Sequence, residues 1–409
     1  MTYKLFRQQV TEYDDLIAAG REKLCRWHIE DALASFDAAL RLCPESGTAH
    51  YLRGEAVFLQ RRLDEALKCH CMAFSRGFDR DIAARGQAMS GVIPGDFGWM
   101  CHMLRGDFER AWRLADRDQA LLRRDAAFAA RPRHTRAVWD GTALNGKRVL
   151  VRCYHGLGDT IHFIRYMRLL AQRAASVCIE VQPELQDLLS GMSGIDRVYA
   201  LSADRDRELR ECGCDSEVDV TELPYAFRTT LDTIPAGVPY LWPQPAEMAA
   251  ARRRLAPLAG RRKVGLCWAA GAWRPERSLD PGELAPLAET PGVAFVSLQR
   301  GAAYENWRAA PAGPPIAAEL TSDSVSETAA MIANLDLVIT VDTMVAHLAG
   351  ALGVPVWVML HTAADWRWLL DRDDSPWYPT MRLFRQRARG DWRSVVAEVG
   401  AALSNSAEL

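Results

Sequence analysis

The chain has 409 residues, 49% of them hydrophobic and 25% charged, a balance that marks soluble globular protein of two or three domains. A formal net charge of -2 leaves no basic footprint for nucleic acid and no acidic tail. No apolar run approaches the roughly 20 residues of a membrane span. The opening residues hold no apolar signal core, and ten cysteines in so long a chain suit a reducing cytoplasm better than a disulfide scaffold.

The first elements are helices that repeat. In "AAGREKLCRWHIEDALASFDAALRLCP" and "YLRGEAVFLQRRLDEALKCHCMAFSRGF", Gly20 aligns with Gly54 and Ala32 with Ala66. Both pairs are spaced at the roughly 34-residue period of a tetratricopeptide helix pair. Leu33, Phe36 and Leu40, then Leu63, Leu67 and Phe74, supply apolar faces at helical spacing. A third, degenerate unit ends in "GDFERAWRLADRDQALL", after the Gly/Pro-interrupted insertion "SGVIPGDFGW". Residues 1–130 are therefore expected to form a repeat domain whose last pair docks on the next domain, as pure stacking or as a peptide-binding groove. Cys69-His70-Cys71 and Cys212-Gly213-Cys214 have metal-like spacing without an evident partner pair, which points to buried thiols.

After the linker "RPRHTRAVWDGTALNGK" strands and helices alternate, the pattern of parallel α/β units. "RVLVRC", "SVCIEVQ" and "RVYAL" read as strands of a first Rossmann-like half over 131–243, closed by "TIPAGVPYLWPQP". "RKVGLCWA", "VAFVSLQ", "LDLVITV", "VPVWVML" and "MRLFRQ" read as strands of a second half over 244–390, and 391–409 as a closing helix. Ligands of such sheets sit beyond the carboxyl ends of the strands, so β-to-α turns are where chemistry is expected.

Three turns carry it. In "GLGDT", Gly156 and Gly158 permit tight backbone shapes and close approach, and the helix beginning near Thr160 brings a positive dipole end. Glu180 stands where a dinucleotide-binding acid is expected, but Ile161 replaces the third glycine and Asp159 would repel a pyrophosphate. Asp159 is thus a helix cap or a general base. In "VITVDTMVAH", the backbone N–H groups of Thr343, Met344 and Val345 suit a phosphate and Asp342 suits sugar or ribose hydroxyls; His347 reads as a core histidine. In "CWAAGAWRPERSLD", Arg274 and Arg277 suit a phosphate leaving group, and Gln299 in "VSLQRG" suits base or ribose hydrogen bonds.

The segments "GLGDTIHFIRY", "VGLCWAAGAWRPERSLD", "FVSLQRG", "LDLVITVDTMVAHLAGALGVPVWVML" and "DWRWLLDRDDSPWYPTMRLFRQ" resemble the tetratricopeptide-fused, heptosyltransferase-like (family 9-like) bacterial glycosyltransferases, over roughly Trp139 to Arg393. The resemblance implies a GT-B fold: two Rossmann-like halves, acceptor side first and nucleotide-sugar donor side second, with a terminal helix crossing back to the first half. It implies Asp159 as catalytic base in an acceptor-side loop that includes His155, Gly156, Gly158 and Thr160. Arg277 stands where heptosyltransferases carry a basic phosphate ligand, with Arg in place of Lys, and Asp342, Thr343 and Met344 match the donor-binding turn. Tyr154-His155 replace a frequent Glu-Gln. The implied reaction is an inverting, metal-independent transfer from a nucleotide sugar to an acceptor hydroxyl, with no other cofactor. The acceptor is expected to be a protein recruited by the repeats. Asp-Arg-Asp triplets at Asp116-Asp118, Asp204-Asp206 and Asp371-Asp373 read as solvated faces rather than metal sites. Other readings are a non-catalytic binding module with a vestigial GT-B half, a GT-B epimerase, and an NAD(H) dehydrogenase.

Overall fold

The computed structural model describes residues 2–78, 96–122, 124, 130–131, 138–139, 141–202, 208–271, 274–320 and 323–405. The chain forms two compact units: Met1–Arg136 with Asp365–Leu370, and Ala137–Ala364 with Asp371–Leu409.

The first unit is helical. Helices α1 (Thr2–Cys25) and α2 (Ile29–Leu42), α3 (Gly47–Leu59) and α4 (Leu63–Ser75), and α5 (Phe97–Leu104) and α6 (Phe108–Leu122) follow one another in pairs. Each pair turns through one left-handed residue, Trp27 (φ 61°), Arg61 (φ 62°) and Gly106 (φ 76°), placed five positions before Ala32, Ala66 and Ala111. The third pair therefore keeps the local geometry of the first two, and the displaced spacing falls between α4 and α5. The aligned glycines are packing positions. A Cβ on Gly20 would lie 2.3 Å from the Phe36 ring, and one on Gly54 2.5 Å from Phe97. Ser46 caps α3 by accepting the Ala49 N–H at 3.1 Å, and Asp96 caps α5 by accepting the Gly98 N–H at 3.0 Å. The helix α5 thus begins inside the stretch read as an insertion. The same Asp96 pairs with buried His70 of α4 at 2.9 Å, across the space that Gly98 leaves for the imidazole. The exposed end of the stack is covered by Asp365–Leu370, whose Trp366 packs edge-on against Trp99 and Phe108 at 5.8 and 6.1 Å.

The second unit holds two parallel sheets, the two Rossmann-like halves expected. Strands β1 (Arg148–Arg152), β2 (Ser176–Val181), β3 (Arg197–Ala200) and β4 (Ser216–Asp219) form the first, in the order β3-β2-β1-β4. Strands β5 (Arg262–Cys267), β6 (Val293–Ser297), β7 (Ile316–Glu319), β8 (Leu337–Val341), β9 (Val356–Leu360) and β10 (Met381–Arg385) form the second, in the order β10-β9-β8-β5-β6-β7. Strand order reverses direction between β1 and β4 in one sheet and between β5 and β8 in the other. Ligand crevices form beyond the carboxyl ends of strands at such points.

Several expectations change. The short strands β4 and β7 were not expected. The long helical run after β1 is broken into helices Leu157–Phe163 and Met167–Ala171 joined by a 3-10 turn. Residues Pro281–Glu289 form a 3-10 element with Pro286 inside it. The closing helix Trp392–Asn405 does not return to the first half. Trp392, Val395, Val396, Val399 and Leu403 lie in the core of the second half with Leu284, Leu287 and Trp268, since its apolar stripe matches the face left open beside that 3-10 element. Residues 132–137 and 140 of the linker fall outside the described residues.

Replacing Trp366 with Ala removes the aromatic lid of the helical unit. Unfolding in urea, followed by far-UV dichroism, is expected to show that unit destabilised by about 3 kcal/mol.

Candidate functional site

The two halves of the second unit meet through two helices, α7 (Leu157–Phe163) and α8 (Met344–Ala351). Gly158 makes the meeting possible: a Cβ there would stand 3.1 Å from His347 Cδ2 and 3.4 Å from Met344 Cα. Neither Gly156 (φ -65°) nor Gly158 has left-handed backbone, so the tight-turn reading of these glycines gives way to close helix approach. One turn into each helix, His162 and His347 both place Nδ1 3.0 Å from the buried Tyr378 hydroxyl. A phenol has one proton, so it donates to one imidazole and accepts from the other. Burial holds the Tyr378 phenol well above its usual range. Beside it, fully buried Arg165 donates to His162 O at 2.7 Å, to Tyr240 Oη at 3.0 Å and to Trp377 O, with its guanidinium 4.3 Å from the Tyr378 ring centre.

Asp159 lies in the first turn of α7, half-buried, and its Oδ2 accepts the Gly156 N–H at 3.1 Å. The cap is therefore real, and it holds the carboxylate at the helix end that abuts Met344. Thr160 is buried and donates to Gln182 Oε1 at 3.0 Å, so it braces the turn from beneath. Gln182 in turn donates to the backbone oxygen of His155. His155 is exposed by 43%, and its Nε2 lies 3.2 Å from Oδ1 of Asp219, the last residue of β4.

Asp342 follows β8 and is buried; Oδ2 stands 3.7 Å from Arg277 Nη1. Arg274 instead faces Glu276 at 3.8 Å. Thr343 is the N-cap of α8 and, like Met344, is half-buried, while Val345 is buried. The first-turn N–H groups of a helix have no partners within it, which leaves them to a ligand or solvent. Beyond the carboxyl ends of the strands, His155 and Asp219 thus meet across the strand reversal of the first sheet, and Arg277 and Asp342 across that of the second.

Gln299 and Glu180 are both held by neighbouring protein groups. Gln299 is buried, its Oε1 accepts from Trp268 N at 3.0 Å and Ala269 N at 2.8 Å, and its amide nitrogen reaches Ala269 O and Arg300 O. It clamps the loop after β5, so the expected hydrogen bond to base or ribose is replaced by a structural one. Glu180 is fully buried and paired with Arg152 at 2.7 Å, and Arg152 also binds Glu217. An acid held this way does not suit a ribose.

The sequence reading missed Asp219 and Glu222. They form a capping box in which Glu222 accepts the Asp219 N–H at 2.8 Å and the Trp139 N–H at 3.0 Å. The D-x-x-E spacing in "DVTE" is the signal that finds them. Burial pushes the Glu222 carboxyl up to about 7. Cys178 joins Cys212 and Cys214 in a buried cluster with Leu150, and burial raises the Cys214 thiol. Among the described residues no group of three or more His, Cys, Asp or Glu side chains is placed to hold a metal ion. Asp116 and Asp118 lie on α6, Asp371 and Asp373 precede β10, and Asp204 and Asp206 lie outside the described residues. Among the described residues no helix is long and apolar enough to cross a membrane.

No family model matches the chain. Protein FlbA of Caulobacter vibrioides is 27% identical over 421 residues, which cover 93% of this chain and 65% of that protein, so the chain spans about two thirds of the relative's length. Among solved structures, the glycosyl transferase family 9 protein of Veillonella parvula is 14% identical and covers 64% of this chain and 90% of its own, with a TM-score of 0.46. The E. coli ADP-heptose lps heptosyltransferase II is 17% identical over 64% of this chain and 100% of its own, also with a TM-score of 0.46. A Thermobaculum terrenum O-GlcNAc transferase mutant is 14% identical over 97% and 92%, with a TM-score of 0.31.

Tyr378→Phe removes the hydroxyl that both histidines share, and is expected to lower unfolding free energy by about 1–3 kcal/mol in urea titrations. Glu222 gives a pH prediction. Its folded value of about 7 lies above the ordinary 4.5, so the folded chain holds the extra proton. That contribution to stability is complete at acidic pH and is lost as pH rises through about 7. The drop in urea midpoint between pH 5 and pH 8 is expected to shrink in Glu222→Gln.

Proposed function

We propose that the chain is a glycosyltransferase that moves a sugar from a nucleotide-sugar donor to an acceptor hydroxyl between the two strand-reversal crevices. The abutment of α7 and α8 at Gly158 supports this reading most directly. It sets a carboxylate, Asp159, beside a helix N-terminus, at Met344, that suits a phosphate. One crevice then offers a group that takes positive charge and the other offers groups that take negative charge, as a displacement at an anomeric carbon needs.

In the proposed mechanism Asp159 accepts a hydrogen bond from the acceptor hydroxyl and polarises its oxygen for in-line attack, with inversion at the anomeric carbon. Arg277, with Arg274 near the same loop, and the N–H groups of Thr343, Met344 and Val345 stabilise charge on the departing diphosphate, in place of a metal ion. Arg277 exchanges its 3.7 Å partner Asp342 for phosphate, and Asp342 then meets sugar or ribose hydroxyls. The helical repeats recruit the acceptor, for which a protein suits the stacked helix pairs, and the reaction is assigned to the cytoplasm.

The test begins with a thermal-shift screen against UDP-, GDP-, ADP- and CMP-sugars, because a bound ligand stabilises the fold by mass action. One class is expected to raise the melting temperature, and Arg277→Gln to abolish that rise. With that donor, Asp159→Asn is expected to slow nucleotide release about 100-fold. No response to any donor would favour a non-catalytic binding module.

A further inference from the structure

A carboxylate with ordinary carboxylic-acid basicity is a weak base towards an alcohol, and proton transfer is most effective from a group whose pKa lies near the working pH. Four residues before Asp159 the acceptor-side turn carries an imidazole, the side chain whose ordinary pKa lies nearest neutrality. His155 leaves β1 and Asp219 ends β4, so the pair spans the point where strand order reverses, the place where ligands of parallel sheets bind. Asp219 is 3% exposed, and its Oδ2 is buried without a hydrogen-bond partner among the described residues. Its Oδ1 accepts from Thr221 N at 2.8 Å and Thr221 Oγ1 at 2.5 Å, which fixes the carboxylate against rotation. A buried, fixed carboxylate 3.2 Å from an imidazole nitrogen on a half-exposed ring sets tautomer and orientation, and stabilises the imidazolium. Neighbouring charges are Asp159 on α7, Glu222 on the turn packed against α7, and the Arg152–Glu180–Glu217 group at the strand ends below.

We propose that His155, oriented by Asp219, is the catalytic residue that finally receives the acceptor's proton, while Asp159 aligns and polarises the hydroxyl. The inference rests on the glycosyl-transfer reading. With Nε2–H donated to Asp219, the basic lone pair is on Nδ1. As the acceptor oxygen bonds to the anomeric carbon, its proton passes to Nδ1. The bond from the anomeric carbon to the leaving phosphate oxygen breaks, and its electron pair departs with the nucleotide. The products are the glycoside, the free nucleotide and an imidazolium paired with Asp219.

The experiment uses the full chain and the nucleotide sugar that shifts its melting temperature, with nucleotide release to water as the readout. His155→Gly is expected to lower kcat at least about 30-fold, and added imidazole to restore it several-fold. Imidazole is not expected to restore Asp159→Asn. His155→Gln, which keeps a donor towards Asp219 but no base, is expected to melt like the wild type and remain slow. Asp219→Asn is expected to lower kcat about 10-fold with the donor KM unchanged within about two-fold. Wild-type turnover in His155→Gln, or a loss in His155→Gly that imidazole leaves untouched, overturns the assignment while leaving the transferase reading in place. A wild-type chain that neither binds nor turns over any of the donors overturns both.

Discussion

Everything proposed for this chain depends on one close approach, that of α7 to α8 at Gly158. Two sheets of the same handedness carry their crevices at strand ends, and those ends become one site only when the helices leaving them touch. A side chain at residue 158 would press on Met344 and His347 and force the two helix starts apart. The Tyr378 hydroxyl then fixes the register of the contact, because it bonds to one histidine on each helix. Arg165 adds a buried cation that finds oxygen partners and aromatic faces from both halves. Such a network stabilises only one relative placement, since any slippage leaves buried polar groups without partners.

The division of chemistry between the sheets depends on which residues end their central strands. On the first, the Arg152 guanidinium that ends β1 is paired with both Glu180 and Glu217, so the charges deep in the sheet are engaged with one another and the polar residues above them are left for function. On the second, β8 leads into a buried Asp that faces the Arg277 guanidinium. The first crevice presents proton-accepting groups and the second presents a cation and a helix start. That asymmetry, rather than the fold, argues for group transfer over a reaction needing one symmetric pocket.

Much of the architecture was legible in the sequence, and the failures have physical causes. Strands β1, β2, β5, β6, β8 and β9 are apolar runs buried on both faces, which read plainly. The strands β4 and β7 have four residues each with few branched apolar side chains, and they exist because a neighbouring strand supplies their hydrogen bonds. Asp159, Asp342 and Arg277 were marked by local turn chemistry, and the structure sets all three in the segments that follow strands. The partnership of His155 with Asp219 joins residues far apart in the chain, and the position of Gln299 beyond a strand end says nothing of the backbone it clamps. The closing helix was misplaced because an amphipathic stripe announces burial without naming the surface that receives it.

Trp366 belongs to the helical unit although it is encoded between β9 and β10. The order of synthesis therefore runs against the order of completion. The ribosome releases the six helices described in that unit long before the residue that closes their apolar end. Until then Trp99 and Phe108 lack their Trp366 neighbour. Cutting the gene at the end of the helices would yield a fragment with an open hydrophobic wound, so the natural boundary of this unit is not an interval of sequence.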